Sequence, residues 1–197
     1  VINCILQGSN SQTGVSFTKN SRLQNSTIAG FTFNTAGDGV LIAGGSSVVS
    51  SSTLTANSRG INVTMGAQAP TPTITGNTIT NNDGGIVVTS GTPTISSNVI
   101  RANANAGITV NSGSPLITGN TIDLNSVGIS GNTGPFTMTI TNNTVNSNTS
   151  FGISISGSTG ATATINNNSI YCNGQSTGAD LFSTAMDPIN AASNAWD

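Results

Sequence analysis

A six-residue pattern recurs along this chain of 197 residues and restricts its fold more than any other feature. Ile74-Thr-Gly-Asn-Thr-Ile79, Ile95-Ser-Ser-Asn-Val-Ile100, Ile117-Thr-Gly-Asn-Thr-Ile122, Ile140-Thr-Asn-Asn-Thr-Val145 and Ile165-Asn-Asn-Asn-Ser-Ile170 align without gaps. Weaker copies run from Val49 to Leu54 and from Leu23 to Ile28, with Ser52 and Ser26 in the Asn position, and from Val1 to Leu6, with Cys4 there. The closing apolar residues of successive copies lie 21 to 26 residues apart. Each copy leads into a Gly-apolar step, such as Gly60-Ile61-Asn62-Val63 or Gly107-Ile108-Thr109-Val110. These steps alternate with period two, as short half-buried strands do. A unit of this length, holding two or three short strands with Asn and Gly between them, is one coil of a parallel β-solenoid.

Stacking explains the pattern physically. One coil cannot bury its own Ile and Val face, whereas stacked coils make each apolar column continuous. Ile74, Ile95, Ile117, Ile140 and Ile165 form such a column. The expected fold is all-β: one right-handed, single-stranded parallel β-helix of about eight coils, since parallel crossovers wind right-handed. At ~4.8 Å per coil it is a rod on the order of 35–40 Å long. The expected domain spans residues 1–197, with 181–197 as a terminal coil or cap. Ser, Asn, Thr and Gly are weak helix formers, which argues against helix.

Two Asn columns follow the same register. The first is Asn77, Asn98, Asn120, Asn143 and Asn168; the second is Asn57, Asn82, Asn103, Asn125, Asn148 and Asn173. Stacked Asn amides bond from coil to coil as ladders do in cross-β stacks. Asn also tolerates the left-handed backbone of a sharp corner, so these residues are expected to form the corners themselves. Their expected role is structural.

The Ile-x-x-Asn-x-Ile copies, with the Asn and Gly-Ile-x-Val that follow, resemble the right-handed parallel β-helix repeat superfamily over about Val1 to Leu181. That group includes pectate-lyase-like enzymes, copper-site maturation factors and surface repeat proteins. The tail from Asp187 to Asp197 resembles a segment these proteins carry near a final coil. The resemblance implies a fold, and function has to be argued from a site.

A search for chemistry finds few candidates. By family analogy, a polysaccharide lyase would need a basic residue near acidic Ca²⁺ ligands, and a glycosidase would need paired carboxylates. The acids Asp38, Asp83, Asp123, Asp180, Asp187 and Asp197 share no repeat position in adjacent coils. Arg101 and Asp123 do share one, and read as an exposed ion pair. The chain has no His and only two Cys, which fits neither His-based catalysis nor copper or zinc chemistry. Neither a cofactor nor a metal site is expected. Four Lys and Arg make a poor surface for nucleic acid. No apolar run approaches the ~20 residues of a membrane-spanning helix.

The most regular surface is made of Thr. Alternation turns the residues flanking each inward Ile outward, which gives Thr73, Thr75, Thr94, Ser96, Thr118, Thr139, Thr141 and Thr164 as a candidate binding face. It resembles the Thr-x-Thr arrays of β-solenoid ice-binding proteins. Thr also suits any exposed strand, and Leu116 and Asn166 interrupt the ranks. Pro72, Pro93 and Pro115 place the outermost rank at a corner.

Cys4 and Cys172 lie about seven coils apart, too far for an intramolecular disulfide. They read as free buried thiols, or as a contact between copies docked head to tail through open coil ends. Five Asn-x-Ser/Thr sequons, at Asn25, Asn62, Asn142, Asn148 and Asn167, are no more than this composition produces by chance. The chain lacks an initiator Met, as a mature product or an excised segment would. Abundant Asn, Ser, Thr and Gly fits an extracellular or cell-surface location. The leading expectation is a non-enzymatic extracellular scaffold: a surface repeat, adhesin domain or filament subunit. Ice binding is second, and binding or cleavage of a carbohydrate third. The corresponding partners are a second copy, ice, or a neutral glycan.

Overall fold

The computed structural model describes residues 1–10, 12–32, 37–156, 158–175 and 178–196. Among these residues the strands form three parallel sheets, of seven, nine and eight strands. Each coil adds one strand to each sheet. Thr73–Thr75 lies in the first sheet, Thr78–Thr80 in the second and Gly84–Val88 in the third. The next coil repeats this with Thr94–Ser96, Val99–Arg101 and Ala106–Val110. About eight turns stack in this way, and every strand pairs in parallel with its counterpart one turn away.

The register is the one expected from the repeat. Ile95 pairs with Ile74 and Ile117, and Ile100 with Ile79 and Ile122. All six side chains are fully buried. The third sheet contributes Ile61, Ile86, Ile108, Ile129 and Ile153 to the same core. Gly131 interrupts a second inward column of that sheet, opposite Val110 and Ile155. Phe136 and Met138 fill the gap: a Cβ on Gly131 would lie 2.6 Å from the Phe136 ring and 2.7 Å from the Met138 methyl.

Both Asn ladders form. Asn98 donates its backbone N–H and its Nδ2–H to Asn120 Oδ1, at 3.0 and 2.9 Å, and Nδ2 also donates to the Ile74 carbonyl at 3.0 Å. Asn77, Asn120, Asn143 and Asn168 repeat the arrangement in the first ladder. Asn57, Asn82, Asn103, Asn125, Asn148 and Asn173 repeat it in the second. One expectation is corrected. The left-handed residue at each corner is the one before the ladder Asn. In the first ladder it is Gly76, Ser97, Gly119, Asn142 and Asn167, with φ between 55° and 65°. In the second it is Ala56, Asn81, Ala102, Leu124, Ser147 and Cys172, with φ between 53° and 58°. The ladder Asn must aim its amide inward along the axis, so its neighbour makes the bend.

The second ladder accounts for a column of glycines: Gly14, Gly39, Gly60, Gly85, Gly107, Gly128 and Gly152. A Cβ on Gly128 would lie 2.5 Å from the Gly152 carbonyl and 2.9 Å from Asn148 Nδ2. The next coil occupies the space a side chain needs.

The tail continues the stack. Asn190 bridges to Thr164, and Ala195–Trp196 pairs with Ser169 and Ile170. Asn194 joins the first ladder, its Oδ1 accepting from Asn168 N and Nδ2 at 3.0 and 2.9 Å. Asp197 lies outside the described residues.

Candidate functional site

The first sheet presents the Thr array. Thr73 pairs with Thr94, Thr94 with Leu116, Leu116 with Thr139, and Thr139 with Thr164. One step along the strands, Thr75, Ser96, Thr118 and Thr141 form a second rank that ends at Asn166. Thr139 and Thr164 are exposed; the other six candidate residues are half-buried between neighbouring side chains. Some hydroxyls bond along the rank: Ser96 donates to Thr75 at 3.1 Å, and Thr162 to Thr137 at 3.2 Å. The prolines set where the strands begin. Thr73–Thr75, Thr94–Ser96 and Leu116–Thr118 start directly after Pro72, Pro93 and Pro115, which have no N–H to donate. Met138 and Ala163 replace Pro in the later coils, where the strands lengthen to Thr137–Thr141 and Thr162–Asn166.

A further Thr rank on the second sheet escaped the sequence reading. Thr27, Thr53, Thr78, Val99, Thr121, Thr144 and Ser169 pair in that order. The signal was the residue following each ladder Asn or Ser. Together the two sheets place uncharged hydroxyls and methyls on both sides of the first Asn corner.

Few charged groups interrupt these sheets: Arg22 stands two strands before Thr73 in the first, and Arg101 and Asp123 end neighbouring strands of the second. Arg101 Nε is 3.5 Å from Asp123 Oδ1, with Arg101 the more exposed partner. The sequence reading missed a tighter group. Asp38 is buried, accepting from Arg59 Nε at 2.6 Å and from Asn62 Nδ2 at 3.1 Å. Asp38 and Arg59 both stand just before a Gly-apolar step, so a search for opposite charges at that repeat position would have found them. The thiols also depart from expectation: Cys4 is half-buried and Cys172 exposed. Cys4 lies at the head of the first ladder, its thiol 3.5 Å from the Ser26 hydroxyl. Among the described residues no group of three or more His, Cys, Asp or Glu could hold a metal, and no helix is long and apolar enough to cross a membrane. An open groove of about 690 Å³ lies over the loops of three coils, lined by Lys19, Asn20, Gln68 and their neighbours.

The family model for the right-handed beta helix region matches residues 1–137. The chain belongs to that family. A right-handed β-helix is also what the three parallel sheets and their ladders build. No curated protein matches the chain. Within the family fold, the patterned outer surface offers neutral hydroxyls and amides, which can bond to water or to sugar hydroxyls.

Proposed function

We propose that this right-handed β-helix is a non-enzymatic extracellular scaffold, a stiff rod that holds a neutral surface away from a cell or a partner domain. One observation carries this reading: the most repeated residues of the chain, the ladder Asn, direct their amides into bonds between coils. Asn120, for example, donates to Ile95, Thr118 and Asn143 and accepts from Asn98. A rod braced in this way resists bending and keeps its outer ranks at fixed spacing. Labelling of intact source cells with an antibody to the protein tests the location, and surface label is expected. Label seen only after cells are opened would overturn the reading. So would unsaturated or reducing-end products released from a polysaccharide panel.

A second reading, ice binding through the first sheet, is favoured by the paired ranks around Thr94 and Thr139. It predicts thermal hysteresis that Thr139→Tyr abolishes and Leu116→Thr increases, because the latter fills the one gap in its rank. Unchanged freezing behaviour at high protein concentration would discard it.

A further inference from the structure

The second Asn ladder ends on a carboxylate. Seven coils carry Gly before the apolar step of the third sheet, and the eighth carries Asp180, directly across from Gly152. At the glycine position a side chain would collide with the ladder amide of the next coil: a Cβ on Gly152 would lie 2.8 Å from Asn173 Nδ2. Asp180 therefore carries its side chain into the space where a further ladder Asn would sit. Its Oδ1 accepts from Asn173 N at 3.2 Å and from Asn173 Nδ2 at 2.8 Å. These are the two bonds that Asn148 gives to Asn173 Oδ1 one coil earlier, at 3.1 and 2.9 Å. The carboxylate thus does for the last Asn what the next Asn does elsewhere. Charge fits too. Each ladder Nδ2 gives one N–H to the next acceptor in the ladder, and at Asn173 that N–H, a partial positive charge, meets the Asp180 carboxylate.

We infer that Asp180 terminates the second ladder and closes this edge of the third sheet to the first coil of a second copy. An open edge of unpaired N–H and C=O groups invites such pairing. Here a side chain already fills the place that the incoming ladder would need. The inference rests on ladder geometry and stands apart from the scaffold reading.

The test compares the full chain with Asp180→Gly and Asp180→Asn by native-state hydrogen exchange at the Asn173 N–H. Glycine removes the acceptor and is expected to speed exchange about tenfold or more. Asparagine keeps an acceptor oxygen and is expected to stay within about threefold of wild type. Equal acceleration in both variants, or none in either, would overturn the capping role. Closure of the edge is read separately, by hydrogen exchange of the Ala179–Ser183 amides of the wild-type protein at rising concentration. No added protection is expected, and protection that grows with concentration would overturn the closure.

Discussion

Each ladder Asn makes several bonds at once, so it is a costly residue to lose. Asn120→Ala would strand the N–H and one Nδ2–H of Asn98 in a dry interior. A loss of about 3 kcal/mol is expected, read from the urea midpoint. The residue before each ladder Asn behaves in the opposite way. Leu124 holds φ at 58° and is 47% exposed, so it carries backbone strain without burying its side chain in return. Leu124→Asn should raise stability by about 1 kcal/mol. Arg59→Ala should lower it by about 3 kcal/mol, because Asp38 would be left charged and buried. Thermal melts of these two variants check both signs.

The strands are only two to six residues long and owe little to their own propensity. What holds a strand is its neighbours above and below. The glycine column is the clearest consequence: Gly128→Ala would push a methyl into the Gly152 carbonyl and Asn148, lowering stability by about 3 kcal/mol. Gly131 differs, because a side chain rather than backbone occupies its space. Gly131→Val alone should destabilise, and adding Met138→Ala should restore much of the loss. Denaturant titration of the single and double variants reads this coupling; strict additivity would refute it. Little of this was legible in the sequence. Gly131 stands where neighbouring coils carry Val110 and Ile155, so the repeat is silent about Phe136 and Met138. Their meeting depends on a turn whose path no periodicity encodes. Asn194 was missed for a related reason: its flanking apolar positions are Ala191 and Trp196, which do not resemble the Ile pairs of the other copies.

At the scale of the whole rod, each coil contacts only its two neighbours. Stability is then roughly a sum of coil and interface terms, and opening starts at the ends. Amide exchange should be slowest around Ile95–Ile108 and fastest in the coil of Ile5–Gln7; uniform protection along the chain would contradict this. The sequence by itself determined the coil, its register and the ladder residues up to Asn168 and Asn173. In a solenoid the spatial neighbours lie one repeat away, so like stacks on like and a period read along the chain is a contact map. It also pointed to the Thr ranks of the first sheet, since alternation about a buried Ile leaves no other direction for them. Only the tertiary structure decided the departures from the repeat. How Asp38 is neutralised, what fills the gap at Gly131 and where the second ladder stops at Asp180 all depend on residues that occur once. A period carries information about what recurs; a single side chain acquires its role only from the particular atoms that surround it.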